Sequence, residues 1–247
     1  MSEPRIIILK SLEELYVCAA EEIAHIAGEA ICMHGEFTLC LSGGSTPAAT
    51  YDLLATRFHH SVDWSEVQFF WGDERCVAPD NPESNFGMAD RTMLSKLTLQ
   101  PGQVHRMRGE DAPDKAAAAY EAGLREHFRL GADEFPEFDL VLLGLGENRH
   151  TASLFPGNPA IHEEQRMVVA VEVDAEPRRR LTITPPVIKH ARRVMFLAGG
   201  EGKAEAVRDI IEGPRDPDRF PAQIAVPEHG ELFWLLDEAA ASRLSKR

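Results

Sequence analysis

A long hydrophobic run is missing from this chain of 247 residues. A helix that crosses a bilayer needs roughly 20 consecutive apolar residues, and the sequence contains no run of that kind. The start of the chain, Met1-Ser-Glu-Pro-Arg5, also lacks the apolar core of a secretion signal. The sequence therefore predicts a cytoplasmic protein with no membrane partner.

Cysteine is also scarce, with four residues at positions 18, 32, 40 and 76. None of them lies in a C-x-x-C motif or in a Cys/His spacing typical of a zinc site. Because no secretion signal is present either, we expect reduced, mostly buried thiols and no bound metal.

Basic residues are fewer than acidic ones: the chain has 26 Lys and Arg against 40 Asp and Glu, and its formal net charge is −14. A surface of this charge repels polyanions, which argues against nucleic acid as the main partner. A small anionic substrate is not excluded, because a local group of cations can lie within an acidic surface.

What the chain does contain is a regular alternation of apolar runs and helical segments. The predicted strands are residues 6–9, 37–41, 67–71, 140–143, 168–173, 181–184, 194–198 and 232–236, and the predicted helices are 12–33, 48–57, 85–94, 114–128 and 203–211. Ser11 and Glu14 predict the N-cap of the first helix. This alternation predicts an α/β fold with a Rossmann-like, mostly parallel sheet and helices on both faces. We expect one domain over residues 1–247, in which residues around 75–130 could form a small subdomain.

The most informative segment, residues 144–157, follows the predicted strand 140–143. It contains His150, shortly after two glycines, Gly144 and Gly146. In a parallel α/β sheet, the ligand crevice forms beyond the carboxyl ends of the strands, and an imidazole can accept or donate a proton near neutral pH. A lone histidine is more often structural, but this position makes His150 the candidate catalytic residue.

Three further strand-to-helix junctions carry glycine and polar residues. Free backbone N–H groups in Ser42-Gly-Gly-Ser-Thr46 suit a phosphate, although a simple tight turn also explains these glycines. Gly72-Asp-Glu-Arg75 offers carboxylates to sugar hydroxyls and a guanidinium to a phosphate, with a solvated surface cluster as the alternative. Gly199-Gly-Glu-Gly-Lys203 places a lysine near a helix start, where it could also be merely exposed.

Taken together, these junctions indicate a binding site more strongly than any one of them does alone. Arg75, Arg180 and Lys203 lie near the ends of predicted strands, and a parallel sheet gathers such ends on one edge. A site built from them would bind a phosphorylated small molecule and present His150 to it.

Several segments, in this order and spacing, resemble the 6-phosphogluconolactonase family. They are Ser42-Gly-Gly-Ser-Thr-Pro47, Trp71-Gly-Asp-Glu-Arg75 with Ser84-Asn-Phe-Gly-Met-Ala89, His150-Thr-Ala-Ser-Leu-Phe-Pro-Gly157, Arg180-Leu-Thr-Ile-Thr184 and Gly202-Lys203. The resemblance implies a Rossmann-type fold shared with glucosamine-6-phosphate deaminase and ribose-5-phosphate isomerase. It also implies hydrolysis of 6-phospho-D-glucono-1,5-lactone to 6-phosphogluconate in the pentose phosphate pathway, without a metal or organic cofactor.

The resemblance further implies roles for individual residues. His150 would be the general base that activates a water, and Asp73 could hold sugar hydroxyls or help to place that water. The backbone N–H groups of Gly43 and Gly44 are candidate donors to the tetrahedral oxyanion. The phosphate contacts carry over to Arg75 and Lys203, and the weaker additions to the substrate site are Ser42, Ser45, Asn85 and Arg180.

One departure from the family pattern lies directly before the histidine. The family usually has Gly-x-Asp-Gly-His where this chain has Gly146-Glu-Asn-Arg-His150. Asn148 lacks the charge of an aspartate, so it should leave a weaker base if this position tunes the histidine. Arg149 replaces a glycine, and if that glycine needs a positive φ, an arginine there costs roughly 1 kcal/mol or more of backbone strain. Glu147 could supply the missing charge from one residue earlier.

Two other functions stay open. A sugar-phosphate isomerase or deaminase of the same fold is the first, although Ser153-Leu-Phe-Pro156 favours the lactonase. A non-catalytic sugar-phosphate sensor is the second, and only the departure at Asn148 and Arg149 supports it. The expected partner is a phosphorylated sugar lactone, and we expect a monomer or a weak homo-oligomer.

Overall fold

The computed structural model describes residues 3–245, in which strands and helices alternate along most of the chain. The strands are β1 Arg5–Leu9, β2 Phe37–Leu41, β3 Val67–Trp71, β4 Asp73–Arg75, β5 Leu140–Gly144, β6 Val168–Glu172, β7 Arg179–Ile183, β8 Arg193–Ala198 and β9 Glu231–Asp237. The helices are α1 Leu12–His34, α2 Ser45–Ala55, α3 Asn85–Thr92, α4 Pro113–Phe128, α5 Pro185–Lys189 and α6 Ala204–Ile211.

Six strands form one parallel sheet in the order β1-β9-β8-β5-β2-β3. Strand β2 is buried along its whole length, and four of the five residues of β5 are buried as well. Strands that are covered on both faces need near-continuous apolar runs, which is why composition alone located them. The predicted α/β fold with a mostly parallel sheet is confirmed.

The remaining three strands form a second, antiparallel sheet in the order β4-β7-β6. The sequence predicts no strand at 73–75, and it does not separate 168–173 and 181–184 from the mostly parallel sheet, so the second sheet is a finding of the structure. Gly72 joins the two sheets: its N–H donates to Leu41 O at 2.9 Å, and its carbonyl accepts from Ile183 N at 2.8 Å. The chain therefore passes from one sheet to the other within a single residue.

The helix termini follow local capping chemistry. Ser11 Oγ accepts from Glu14 N at 3.2 Å, and Glu14 Oε2 accepts from Lys10 N at 3.1 Å, so the predicted N-cap is confirmed. Helix α2 begins at Ser45, three residues before the predicted start at 48. Pro47 is compatible with this start because the first turn of a helix does not use its N–H groups.

Buried side chains of both sheets belong to one contiguous hydrophobic cluster, which includes Leu39, Phe69, Leu142, Phe196 and Ile183. Among residues 3–245, no helix is long and apolar enough to cross a membrane. All four cysteines are free thiols. Only Cys40 is buried and Cys32 is exposed, so the expectation of mostly buried thiols is wrong.

Candidate active site

The predicted site residues meet in one cavity of about 210 Å³ at the carboxyl-terminal edge of the main sheet. The cavity is lined by Ser42, Gly43, Gly44, Ser45, Thr46, Pro47, Asp73, Arg75, Asn85, Gly144, Leu145, Gly146, His150, Ala152, Arg180, Leu197 and Lys203. These include all ten residues proposed from the sequence. The strands β2, β3, β5 and β8 end here, as expected for a ligand crevice in a parallel sheet.

The glycine segment after β2 brings backbone to the cavity wall. A Cβ on Gly43 would lie 2.0 Å from Asn85 Oδ1, so a larger residue does not fit there. Gly44 has a φ of 108°, which favours glycine, and is the N-cap of α2. The cavity therefore meets the amino end of an eleven-residue helix, where N–H groups and the helix dipole favour an anion.

A buried tyrosine holds this segment in place. The hydroxyl of Tyr51 accepts from Ser42 N and donates to Ser42 O, both at 2.9 Å. The Oγ atom of Ser42 is buried and has no hydrogen-bond partner among the described residues. Ser42 can therefore offer its hydroxyl to a bound ligand, whereas its backbone is already committed to Tyr51.

The two carboxylates after β3 have different surroundings. Glu74 accepts four hydrogen bonds, from the backbone N–H groups of Arg75, Asn85 and Phe86 and from Ser84 Oγ, at 2.7–2.9 Å. Burial raises the pKa of Glu74, and these hydrogen bonds oppose the rise. Three of the four donors lie at or just before the start of α3, so Glu74 orients that helix.

Asp73 is the carboxylate that faces the cavity. Its Oδ1 accepts from Asn85 Nδ2 at 3.0 Å, and its Oδ2 accepts from Ser153 Oγ at 2.6 Å. Asn85 Nδ2 also donates to Asp73 O at 2.9 Å. Asp73 and Asn85 are therefore held rigidly against each other before any ligand binds.

His150 is oriented by three neighbours. Its ring stacks on Phe155 with the centroids 4.1 Å apart and an interplanar angle of 9°. A Cβ on Gly146 would lie 2.0 Å from His150 Nδ1, so only glycine lets the imidazole pack this closely. Asn148 Oδ1 accepts from His150 N at 3.3 Å and is hydrogen-bonded to His150 Nδ1. Since an oxygen that accepts from the backbone also faces Nδ1, we assign the proton to Nδ1 and the lone pair to Nε2.

The electrostatics of the cavity keep His150 uncharged near neutral pH. Burial lowers its pKa to about 4, and the positive charges of Arg180, Lys203 and Arg75 lower it in the same direction. A neutral imidazole with a free Nε2 can accept a proton from water.

The three cations of the cavity have few acidic partners. Arg75 Nη1 donates to Glu83 O at 2.5 Å and lies 3.8 Å from Glu83 Oε2, while its buried Nε has no hydrogen-bond partner among residues 3–245. Arg180 Nε donates to Pro177 O at 3.1 Å, and its guanidinium lies over the Phe155 ring, 5.5 Å from the centroid. Burial and the charge of Arg75 lower the pKa of Arg180. In the described part of the chain, no carboxylate lies within ion-pair distance of Arg180 or Lys203, so an anion can be bound between them.

The departure before His150 has a clear structural form. Arg149 has a φ of 71°, so the condition under which an arginine here carries backbone strain is met. The carboxylate of Glu147 lies over Gly202, where a Cβ would be 2.8 Å from Glu147 Oε1. The side chain that is hydrogen-bonded to His150 Nδ1 is therefore that of Asn148. Glu147 lies elsewhere and does not supply the negative charge of the family's aspartate.

Sequence reasoning missed three residues that shape the site. Ser153 and Phe155 lie within the quoted His150 segment, and their position beside the histidine is the signal that could have identified them. Tyr51 carries no such signal, because its hydroxyl reaches Ser42 only after α2 folds back over β2. Among residues 3–245, no group of three His, Cys, Asp or Glu side chains is arranged to hold a metal ion.

A larger cavity, of about 640 Å³, lies at the opposite edge of the main sheet and contains none of the predicted site residues. Several of its charged side chains pair with one another: His34 Nε2 lies 2.9 Å from Asp139 Oδ1, and Arg192 pairs with Glu137 and Asp139. The candidate active site is therefore the smaller cavity, which holds all ten predicted residues and in which Arg180 and Lys203 have no ion-pair partner among residues 3–245.

Comparisons with known proteins show what this chain is similar to. A profile of the family described as glucosamine-6-phosphate isomerases/6-phosphogluconolactonase matches residues 10–234. The chain is 40% identical to a 6-phosphogluconolactonase of Synechocystis sp., over 94% of this chain and 93% of the relative. It is 39% identical to a 6-phosphogluconolactonase of Mycobacterium tuberculosis, over 93% of this chain and 94% of the relative.

A solved structure shares the fold over nearly the full length. It is described as 6-phosphogluconolactonase from Trypanosoma cruzi, with a TM-score of 0.87, 32% identity and coverage of 99% of this chain and 98% of that chain. The profile match and these relatives establish that the chain belongs to the glucosamine-6-phosphate isomerase/6-phosphogluconolactonase family.

Proposed function

We propose that this chain hydrolyses 6-phospho-D-glucono-1,5-lactone to 6-phospho-D-gluconate, with His150 as the general base and without a metal ion. The observation that carries the proposal is a neutral imidazole, tethered at Nδ1 by Asn148, in a cavity with three cations. Relatives that are about 40% identical over most of the chain bear the name 6-phosphogluconolactonase, which supports the choice of substrate.

The first chemical step is attack by water on the lactone carbonyl. His150 Nε2 takes one proton from a water molecule as the water oxygen bonds to C1 of the lactone. The carbonyl oxygen becomes an oxyanion, for which the N–H groups at Gly43, Gly44 and the start of α2 are candidate donors. No nucleophilic side chain is needed, because a lactone is already an activated ester.

The second step opens the ring. The tetrahedral intermediate collapses, the bond between C1 and the ring oxygen breaks, and the imidazolium of His150 returns its proton to that oxygen. The product is a carboxylic acid, which releases its proton to solvent at neutral pH. His150 is thereby restored to its neutral form for the next turnover.

The cations on the other side of the cavity would bind the phosphate. Arg75 and Lys203 are the main candidates, and Arg180, Ser42 and Ser45 can add further donors. Asp73 and Asn85 form a preorganised pair whose oxygens can accept hydrogen bonds from the sugar hydroxyls. A phosphate bound here also offsets the positive charges that lower the pKa of His150, so substrate binding strengthens the base.

The direct test is acid release from freshly prepared 6-phosphogluconolactone at neutral pH, with spontaneous opening subtracted and with EDTA present in a parallel sample. We expect strong acceleration by the protein and equal rates with and without EDTA. Loss of activity in EDTA would contradict metal independence. Ammonia release from glucosamine-6-phosphate without lactone hydrolysis would support the deaminase, and binding of the lactone without turnover would support the sensor.

The substitution Asn148→Asp is expected to raise the pKa of His150, because a carboxylate beside Nδ1 stabilises the imidazolium. A general base works only when deprotonated, so the acidic limb of the kcat profile should move to higher pH, by about one pH unit. The rate on the plateau should rise, since a stronger base accepts the proton from water more readily. The measurement is a pH–rate profile of both proteins on the same substrate. The substrate phosphate titrates identically in the two series, so superimposable profiles would rule out a tuning role for position 148.

A further inference from the structure

Arg149 connects the loop that carries His150 to helix α6. Its Nε and Nη2 donate to Asp209 Oδ2 at 3.0 and 2.6 Å, and Nη2 lies 3.2 Å from Glu205 Oε1. The side chains of Arg149 and Asp209 are only 22% and 15% exposed, so water screens this pair less than an ordinary surface ion pair. Two charge-assisted hydrogen bonds on one carboxylate fix both the distance and the direction of the contact.

Asp209 stays charged over a wide pH range. Burial raises the pKa of Asp209, but hydrogen bonds from Arg208 and Arg149 lower it, and the net pKa lies below the usual value. Asp209 is therefore ionised near neutral pH, where its contact with Arg149 is an ion pair.

The backbone of Arg149 is held as firmly as its side chain. Its N–H donates to Gly146 O at 2.8 Å, and its carbonyl accepts from Ala222 N at 3.1 Å. These contacts keep Arg149 at a φ of 71°, a conformation that residues with a side chain rarely adopt. Because His150 is the next residue, these contacts also fix the direction of the backbone that leads into His150.

Helix α6 begins at Ala204, directly after Lys203. The ion pair therefore joins the segment of the proposed base to the helix that follows the proposed phosphate ligand. We propose that Arg149 is a positioning residue, which holds His150 at a set distance from Lys203 through its pairing with Asp209. This inference rests on the function proposed above, since it assigns catalytic meaning to that distance.

The chain offers a matched control for this role. Arg208 Nε and Nη2 donate to the other oxygen of the same carboxylate, Asp209 Oδ1, at 3.1 and 2.5 Å. Arg208 belongs to α6 itself, so its contacts with Asp209 stay within one helix. Removing Arg208 takes the same charge from the same carboxylate without releasing the loop.

The test compares Arg149→Met, Arg149→Gly and Arg208→Met in steady-state lactone hydrolysis. Small displacements of a reacting group reduce the rate steeply, so both Arg149 variants should lower kcat by about tenfold with KM changed by less than about twofold. Arg208→Met should keep both constants within about twofold of the wild type. Thermal melting of each variant confirms that it is folded at the assay temperature. Arg149→Gly is included because glycine adopts a φ of 71° without strain and so keeps the test valid if Arg149→Met is unstable.

Unchanged kcat in a folded Arg149 variant would overturn the positioning role, and so would an equal loss in Arg208→Met. Partial recovery of kcat in Arg149→Lys, which keeps a charge for Asp209, would support it. A wild type without lactone hydrolysis would overturn both proposals together. An active wild type with an unaffected Arg149→Gly would overturn only the positioning role, so the two failures can be told apart.

Discussion

Replacing His150 with alanine is expected to lower kcat for 6-phosphogluconolactone by about 10²- to 10⁴-fold, the range that general acid–base catalysis contributes. Asp73 has a positioning role instead, because hydrogen bonds from Asn85 Nδ2 and Ser153 Oγ hold its two oxygens in place. The imidazole also fills a stacked position on Phe155, so its loss leaves a gap at the reacting centre. Acid release, corrected for spontaneous opening, measures the effect.

His25→Ala is the control for this substitution, because His25 is an exposed histidine on α1 and its contact is Glu29. It should leave kcat and KM unchanged. In His150→Ala, the phosphate cations remain in place, so KM should change by less than about threefold. A variant that keeps more than about a tenth of the wild-type kcat would exclude His150 as the general base.

Lys203→Met is expected to raise KM for the phosphorylated lactone by roughly 10- to 100-fold, because a hydrogen bond to a charged group contributes about 1.5–3 kcal/mol. Methionine is an unbranched side chain of similar length that lacks the ammonium group, so both the charge and its hydrogen-bond donors are removed. The phosphate is not the reacting group, so most of the lost interaction is uniform binding and kcat should change much less than KM. Lys203 also lowers the pKa of His150, so the acidic limb of the kcat profile should move to higher pH in this variant.

The substrate itself supplies one control for this prediction. Glucono-1,5-lactone has no phosphate, so the wild type and Lys203→Met should hydrolyse it with the same low efficiency. Lys189→Met is the matched protein control, since Lys189 lies beside the larger cavity at the opposite edge of the sheet. Equal KM values of the wild type and Lys203→Met for the phosphorylated lactone would remove Lys203 from the phosphate site.

The main sheet was predictable because a parallel strand buried on both faces must be apolar along its length. Phe37–Leu41 and Val67–Trp71 have the same boundaries in the sequence prediction and in the structure for this reason. Strand β4 was not predictable, since Asp73-Glu-Arg75 is polar and forms a strand only through pairing with β7. Its hydrogen-bonding partners lie more than a hundred residues further along the chain, and no local propensity indicates them.

The membership of the cavity was predictable for a topological reason. Residues that follow parallel strands lie at one edge of the sheet wherever they occur in the chain. The sequence therefore predicts that Ser42, Asp73, His150 and Lys203 lie close together. The partners of these residues were not predictable, because they depend on side-chain packing. Glu74 illustrates this: it belongs to a segment singled out for substrate binding, yet the structure uses it to orient α3.

By itself the sequence determined the parallel α/β core and the grouping of strand-end residues such as Arg75, His150 and Lys203 at one edge of the sheet. The core follows from apolar runs and the grouping from the topology of a parallel sheet, whereas Asn85 was added by the resemblance to the family. Only the tertiary structure decided the second sheet, the low pKa of His150 and the pairing of Arg149 with Asp209. These depend on burial and on charges that are distant in the chain and close in space, and such distances exist only once the chain has folded.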